Sequence, residues 1–314
     1  MKKILIVGAG GQIGSELVTY LRGLYGNGNV VAADLRQSER LAADGPFEIL
    51  DALDAERYAE LVRKYGIDSI FNLAALLSAK GEANPTLAWK INIGALTNSL
   101  EVARQYNCAL FTPSSIGAFG GDFPRDNTPQ DTIMQPNTMY GVCKVTGELL
   151  SNYYHTRFGV DTRSVRFPGI ISNVTLPGGG TTDYAVEIYY AAVKGERFVC
   201  PVSSNVYMDM MYMPDALRAT VELMEADPAK LKHRNSFNIA SMSFTPEIIY
   251  AEIRKRLPEF EMVYEVDPVK EAIAESWPNK LDDTCAREEW GWKPQWDLSS
   301  MTDDMLRAVR AKNL

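Results

Sequence analysis

At 314 residues the chain exceeds the usual size of one compact domain, so we expect a full core and two lobes. The composition, 46% hydrophobic and 23% charged, is ordinary for a globular protein, and no apolar run reaches the roughly 18 residues that span a bilayer. The net charge of -8 argues against binding to a nucleic-acid backbone, which normally needs clustered lysine and arginine. We therefore expect neither a nucleic-acid nor a membrane partner.

The four cysteines and two histidines are scattered along the chain without a CxxC pair. We therefore predict neither a disulfide framework nor a metal site. The apolar run after Lys2 and Lys3 stops at once in a glycine-rich turn, so we interpret it as a first strand and not as a signal peptide. A cytoplasmic location is the expectation.

Apolar, β-branched runs alternate with longer amphipathic stretches through the first half of the chain, which is typical of parallel strands joined by crossover helices. The predicted strands are 3–7, 30–34, 47–50, 69–73, 109–114 and 162–167. The predicted helices are 12–25, 55–65, 86–106 and 139–158. This order predicts an α/β protein with a Rossmann-type, doubly wound parallel sheet.

Regularity weakens after Pro168, and the PGGG run at 177–180 indicates a loop. We predict a dinucleotide-binding domain at 1–170, to which the chain returns around 203–240, and a smaller C-terminal substrate lobe at 171–202 and 241–314. Ligands of open α/β sheets bind beyond the carboxyl ends of the strands. The lobe is therefore well placed to close over a cofactor.

A glycine-rich turn, GAGGQIG at 8–14, joins the first strand to the first helix. Glycines at its first, fourth and seventh positions allow a tight turn and close approach of a pyrophosphate to the helix N-terminus. Asp34 ends the next strand, where a carboxylate binds ribose hydroxyls and repels a 2′-phosphate, so NAD is favoured over NADP. Arg36, two residues later, weakens that inference, and a glycine turn that binds nothing is the alternative. The candidate cofactor residues here are Gly8, Gly11, Gln12, Ile13, Gly14, Asp34 and Arg36.

Further cofactor contacts are expected where the third and fourth strands end. Asp51, with Leu53 nearby, is placed to reach the adenine, and Leu73, Ala74 and Ala75 would form a wall of small residues beside the cofactor. Plain packing explains the alanines equally well.

Tyr140 and Lys144 stand four residues apart in YGVCK on a predicted helix, so both project from one face. A tyrosine has an ordinary pKa of about 10, and a neighbouring ammonium stabilises the phenolate that a general base requires. Ser114 and Ser115, at the end of the fifth strand, bring a hydroxyl to the same place. The pattern predicts a Ser115, Tyr140, Lys144 proton-transfer group; a surface tyrosine beside a solvated lysine is the alternative.

Together, the glycine turn, the serine after the fifth strand and YxxxK resemble the extended short-chain dehydrogenase/reductase superfamily. The resemblance covers essentially the whole chain and implies an NAD-dependent enzyme. It also implies that Asn92 lines the active site and that Pro168 to Ile170 contact the nicotinamide. By the same resemblance, the helices that carry Asn92 and Tyr140 form a homodimer through a four-helix bundle.

Two further segments distinguish branches of this superfamily. Nucleotide-sugar epimerases and dehydratases carry an arginine in a stretch similar to RDFIHVxD, whereas this chain has MDMMYMPDALRA, with Met208 before Asp209. The loop SNVTLPGGGTTDYAVEIYYAA and the segment SWPNKLDD at 276–283 instead resemble the short-chain L-threonine 3-dehydrogenases. That resemblance implies oxidation of the L-threonine 3-hydroxyl to 2-amino-3-oxobutanoate, with Tyr140 as general base.

Hydroxyls and a carboxylate suit a small zwitterionic substrate better than a phosphate. Asp183 is expected to pair with the substrate ammonium or, equally, to cap the following helix. A nucleotide-sugar epimerase and a non-catalytic NAD-sensing protein remain alternatives, although sensors typically lose the Tyr/Lys pair. The candidate substrate residues are Ser78, Ser115, Tyr140, Gly180, Thr181, Thr182, Asp183 and Trp277.

Overall fold

The computed structural model describes residues 1–176, 178 and 180–312, with residues 79 and 80 described by their backbone. The strands are β1 Ile4–Val7, β2 Val30–Asp34, β3 Phe47–Ile49, β4 Ser69–Asn72, β5 Ala109–Phe111, β6 Ser114–Ser115, β7 Thr162–Arg163, β8 Val165–Phe167, β9 Gly169–Ile171, β10 Phe198–Cys200, β11 Met208–Tyr212, β12 Phe237–Asn238, β13 Met242–Phe244 and β14 Met262–Tyr264. The helices are α1 Gln12–Tyr25, α2 Glu39–Ala43, α3 Ala55–Tyr65, α4 Ser78–Ala83, α5 Pro85–Tyr106, α6 Met139–Phe158, α7 Tyr184–Lys194, α8 Met213–Glu225, α9 Pro246–Arg254, α10 Pro268–Glu275, α11 Thr284–Trp290 and α12 Leu298–Arg310.

The central sheet has six parallel strands in the order β3-β2-β1-β4-β5-β7. Its strand order reverses beside β1, where Ile4 pairs with Val30 on one side and Ser69 on the other. Ligands of open α/β sheets bind at such a reversal. The predicted Rossmann-type fold class is confirmed.

Two predicted strands are each divided in the structure. The strand predicted at 109–114 becomes β5 and β6, separated by Thr112 and Pro113, and the strand predicted at 162–167 becomes β7 and β8 around Ser164. Proline lacks the N–H that a ladder requires. β5 and β7 stay in the central sheet, while β6 and β8 join β12 in a three-stranded sheet. The divisions turn Ser115 out of the central sheet and beside α6.

The three largest apolar clusters among the described residues follow from this arrangement. One packs α1 and α8 on one face of the central sheet, and another packs α3 and α5 on the opposite face. The third lies in the C-terminal part, where α7, α9 and α12 cover β11 and β13. Ala286 and Trp292 pack into the α1/α8 cluster, although the predicted lobe boundary assigns them to the substrate lobe. The exact division into lobes stays a prediction.

Within the predicted loop 177–180, residues 177 and 179 lie outside the described part of the chain. A short 3₁₀ helix at Thr181–Asp183 leads into α7. Among the described residues, no helix combines the length and apolar character needed to cross a membrane.

Candidate active site

Close backbone approach shapes the glycine turn between β1 and α1. Gly8 has φ of +82°, and a Cβ atom there would lie 2.7 Å from the backbone nitrogen of Ala74. A Cβ atom at Gly14 would lie 2.3 Å from the carbonyl oxygen of Gly8, so α1 begins directly on the turn. At Gly11, only the Gly8 carbonyl, at 3.4 Å, would meet an added Cβ atom. The turn therefore leaves a cradle at a positive helix end, which fits a dinucleotide pyrophosphate.

Asp34 lies at the carboxyl end of β2, against this turn. Its Oδ2 accepts a hydrogen bond from the Gly10 backbone N–H at 2.8 Å, and its Oδ1 accepts one from Arg36 N–H at 3.4 Å. A Cβ atom added at Gly10 would lie 3.2 Å from the carboxylate. The turn therefore fixes the carboxylate at the end of the strand.

The predicted proton-transfer residues come together between β6 and the start of α6. A Cβ atom added at Gly117 would lie 3.3 Å from ring carbons Cδ1 and Cε1 of Tyr140 and 3.5 Å from Ser115 Oγ. Lys144 Nζ lies 5.3 Å from the centre of the Tyr140 ring and donates to the Pro113 carbonyl at 2.6 Å. Hydroxyl, phenol and ammonium therefore share one site.

The position of Tyr140 is set by a close backbone approach between Gly141, the next residue on α6, and Gly117. A Cβ atom added at Gly141 would lie 2.3 Å from the Gly117 carbonyl oxygen and 2.5 Å from Pro136 Cβ. Thr138 caps this end of α6, since its Oγ1 accepts the Gly141 N–H at 3.1 Å. The first turn of α6 is therefore seated directly on the loop that follows Ser115.

A cavity of about 270 Å³ joins the glycine turn to these residues and to the C-terminal part. Its lining includes many of the predicted residues: Gly8, Gly11, Gln12, Ile13, Gly14, Leu73, Ala75, Ser114, Ser115, Tyr140, Lys144, Pro168, Ile170, Gly180, Thr182, Asp183 and Trp277. Sequence reasoning missed Leu77, Ile116 and Phe167, which also line it. Each lies within two residues of a predicted one, so adjacency was the available signal.

Other predicted residues lie outside this cavity. Ala74 and Asn92 line a smaller cavity, of about 40 Å³, beside Lys144. Asn92 holds the chain after β4, because its amide accepts from Leu76 N–H at 2.7 Å and donates to the Leu76 carbonyl at 3.1 Å. The remaining predicted residues outside the cavity lining are Asp34, Arg36, Asp51, Leu53, Ser78 and Thr181.

Around the predicted adenine and substrate positions, local structure accounts for several of these side chains. Asp51 Oδ1 accepts the Leu53 N–H at 2.9 Å, which closes the turn before α3. Ser78 begins α4. Thr181, 5% exposed, begins the 3₁₀ helix. Their roles in binding stay predictions.

Asp183 lines the large cavity and also orders its own loop. Its Oδ2 accepts a hydrogen bond from Gly180 N–H at 2.6 Å, as in a helix cap. Thr182 packs against Gly169, since a Cβ atom added at Gly169 would lie 2.7 Å from Thr182 Cγ2. The loop before α7 therefore reaches the start of β9.

A buried carboxylate accepts a hydrogen bond from the segment 276–283, which carries Trp277. Asp209 on β11 is 0% exposed, and its Oδ2 accepts the Leu281 N–H at 2.8 Å. Burial raises the pKa of Asp209 to about 8. Arg125 Nε donates a second hydrogen bond to this segment, to the Trp277 carbonyl at 3.1 Å.

Among the described residues, one group with metal-ligand chemistry lies elsewhere. Ligand atoms of His233, Cys285 and Glu289 lie within 4.8 Å of one another. His233 Nδ1 and Glu289 Oε1 form a hydrogen bond at 2.5 Å, so these two side chains already satisfy each other. The absence of a metal stays a prediction.

Comparison with known proteins agrees with this geometry. The model of the NAD dependent epimerase/dehydratase family matches residues 4–240. An uncharacterised epimerase/dehydratase of Staphylococcus aureus (strain MRSA252) is 56% identical, covering 100% of this chain and 98% of that protein.

Two solved structures extend the similarity over the whole fold. An L-threonine dehydrogenase from Clostridium difficile superimposes with a TM-score of 0.98 at 55% identity, covering 99% of this chain and 98% of that one. The holo form of a GalE-like L-threonine dehydrogenase from Cupriavidus necator gives a TM-score of 0.95 at 50% identity, covering 98% and 99%. These similarities confirm the resemblance predicted from the sequence motifs.

Proposed function

The chain belongs to the NAD-dependent epimerase/dehydratase family, and from that premise we propose that it oxidises the 3-hydroxyl of L-threonine with NAD as cofactor. The observation that carries the proposal is the similarity, at 50 to 55% identity over nearly full length, to two L-threonine dehydrogenase structures. The enzyme is NAD-dependent by family.

The described residues fit NAD. At Gly11 only the Gly8 carbonyl would meet an added Cβ atom, so the turn leaves room for a pyrophosphate beside the start of α1. Asp34 stands where the adenine ribose hydroxyls would bind. NAD, when bound, supplies the hydride acceptor.

In the proposed reaction, the substrate hydroxyl lies within hydrogen-bond reach of Ser115 and Tyr140. Tyr140 takes the hydroxyl proton as the C3–O bond becomes a carbonyl, and the C3 hydrogen would leave with its electron pair as the hydride that bound NAD accepts. Lys144 stabilises the phenolate form of Tyr140 by its charge and would also hold the nicotinamide ribose, and Ser115 polarises the forming carbonyl. The product is 2-amino-3-oxobutanoate.

A small amino acid suits the rest of the cavity. Asp183 supplies an anionic group for the substrate ammonium, Thr182 supplies a hydroxyl, and Trp277 an apolar cover. At the position where nucleotide-sugar enzymes carry an arginine, this chain has Met208, which is 0% exposed and offers no cation for a second pyrophosphate. These features favour L-threonine over a nucleotide sugar.

The first experiment combines a substrate panel with one variant. Purified enzyme and NAD are mixed with L-threonine, D-threonine, L-allo-threonine, L-serine or UDP-galactose, and NADH absorbance is followed. We expect the fastest NADH formation with L-threonine. We expect Tyr140→Phe to lower kcat by about 10²- to 10⁴-fold while leaving NAD affinity nearly unchanged. Tyr207→Phe, at an exposed tyrosine outside the cavity lining, is the matched control.

Four outcomes would contradict parts of this proposal. If no amino acid gives NADH, L-threonine is rejected as the substrate. Conversion of UDP-galactose to UDP-glucose would place the chain among the epimerases. NAD binding without any turnover would favour an NAD-sensing protein. Full activity of Tyr140→Phe would reject only the assignment of Tyr140 as general base.

We also propose that the protein forms a homodimer through α5 and α6. Val142, Leu149 and Tyr153 on α6 are 37, 65 and 54% exposed at spacings of seven and four residues, which places them on one helix face. Leu87 and Trp89 on α5 are exposed as well. Light scattering should give the dimer mass, and Leu149→Glu should give the monomer mass. A monomeric wild-type protein would refute the interface.

A further inference from the structure

A buried ion pair that takes no part in the proposed chemistry lies beside the proton-transfer residues. Glu148 and Arg166 are 3% and 1% exposed. Two hydrogen bonds join them as a fork, from Arg166 Nη2 to Glu148 Oε2 at 2.7 Å and from Nε to Oε1 at 3.0 Å. Burying two charges costs desolvation energy that such a pair rarely exceeds, so stability alone is a weak reason for its presence.

The pair connects the two elements that carry the proposed chemistry. Glu148 follows Lys144 by four residues on α6, so both side chains project from one face of the helix. Arg166 lies on β8, directly opposite Ser114 in the β6–β8 ladder, and the next pair in register is Ser115 with Phe167.

A third contact closes this connection. Ser114 Oγ donates to Glu148 Oε1 at 2.5 Å, so one carboxylate receives hydrogen bonds from both β6 and β8. Both carboxylate oxygens are engaged, which leaves Glu148 a single orientation. The helix can shift along the strands only by breaking hydrogen bonds in a water-excluded place.

The remaining nitrogen of the Arg166 guanidinium, Nη1, is also hydrogen-bonded. Arg166 Nη1 donates to the Gln130 carbonyl at 2.7 Å and to Asn238 Oδ1 at 2.9 Å, and the group lies 5.2 Å from the centre of the Phe119 ring. Arg166 is therefore a fixed point to which α6 is tied.

We propose that Glu148 and Arg166 are positioning residues that set the separation between Ser115 on one side and Tyr140 with Lys144 on the other, an inference that rests on the proposed function. A proton-transfer group works only within a few tenths of an ångström of its productive geometry, and a misplacement of about 1 Å costs about 100-fold in rate. The Glu148–Arg166 pair supplies that precision from outside the cavity.

The test compares lysine substitutions at two buried arginines that each form an ion pair with a carboxylate. Arg166→Lys keeps the charge but loses the paired geometry toward Glu148. Arg234→Lys is the matched control, because Arg234 is 5% exposed, donates to Asp161 Oδ1 at 2.6 Å and lies by the amino end of β7, at the edge opposite the site. Both should lower Tm.

We expect Arg166→Lys alone to lower kcat, by about 10- to 100-fold, with KM for L-threonine little changed, because the loss falls on the transition state and not on binding. Glu148→Gln, which keeps the side-chain volume, should give the same split and provides the measurement if Arg166→Lys does not fold. Equal kcat values for Arg166→Lys and Arg234→Lys, at temperatures where both are folded, would overturn the proposal.

Different results would contradict the proposed activity and the positioning role of Glu148 and Arg166. An inactive wild-type enzyme would reject the proposed function, and NAD titration by fluorescence would then still test the pair. A displaced Lys144 should weaken NAD binding in Glu148→Gln but not in Arg234→Lys. If the wild-type enzyme is inactive and Glu148→Gln binds NAD as tightly as the wild type does, the positioning role is overturned as well.

Discussion

The region around the glycine turn and the C-terminal part of the molecule are organised in different ways. Around the glycine turn, short-range backbone contacts decide the geometry: a Cβ atom at Gly14, for example, would lie only 2.3 Å from the Gly8 carbonyl oxygen. In the C-terminal part, side chains far apart in the chain meet. Asn173, after β9, donates to Asp304 Oδ2 on α12 at 3.0 Å. Local motifs therefore determine the first region, and long-range packing determines the second.

The loop after β9 joins the two regions. Ser172 Oγ donates to Glu16 Oε1 on α1 at 2.5 Å, and Ser15 Oγ lies 3.3 Å from Thr175 Oγ1. Burial raises the pKa of Glu16 above its ordinary value. These contacts tie the segment after β9 to α1.

The strongest way to break the short-range arrangement is Gly141→Ala. The added Cβ atom would collide with the Gly117 carbonyl, so α6 must move away from Ser115. We expect kcat to fall by about 100-fold and the free energy of unfolding to fall by about 1–3 kcal/mol. Steady-state kinetics and urea unfolding measure the two effects.

Gly147→Ala is the control on the same helix. Its Cβ atom would meet only Leu96 Cδ2, at 3.1 Å, the movable end of a side chain. Near-normal kcat in both variants would show that α6 tolerates displacement at its first turn.

The long-range arrangement is tested by Asp209→Asn. Because burial raises the pKa of Asp209 from 3.8 to about 8, the folded protein keeps a proton that the unfolded chain releases in this range. The free energy of unfolding should therefore fall as pH rises from about 4 to about 8, by about 1.4 kcal/mol per unit of pKa shift, and level off above. Asparagine cannot ionise, so the variant should gain stability relative to wild type near pH 8 and not near pH 5.

Urea unfolding of both proteins across this pH range gives the measurement. An identical pH dependence for the variant and the wild type would mean that Asp209 is not the group that titrates. The result also reports on Trp277, because Asp209 holds the Leu281 backbone in the same segment.

The smallest effect is expected at the cap of α6. Thr138→Ala removes the Oγ1 that accepts the Gly141 N–H and should cost about 1 kcal/mol of unfolding free energy. Thr138→Ser keeps the hydroxyl and should restore the stability. If alanine and serine are equally stable in thermal unfolding, the cap contributes nothing and the close approach at Gly141 alone seats the helix.

The sequence alone determined the fold class, most helix and strand positions of the first half, and the grouping of Ser115 with Tyr140 and Lys144. These follow from periodicity, glycine spacing and a four-residue helical repeat, all of which act over a few residues. The helix predicted at 86–106, for instance, spans Pro85–Tyr106 in the structure.

Only the tertiary structure decided the division of two predicted strands, the burial of Asp209 and the fork between Glu148 and Arg166. The sequence pattern predicts one continuous strand over 109–114, but Pro113 has no N–H for the ladder and the strand is divided there. An apolar pattern alone does not show that an N–H is missing. Glu148 and Arg166 are 18 residues apart in the chain, and as charged residues they are expected at the surface. Their burial depends on partners that only the folded chain brings together, and no local pattern encodes it.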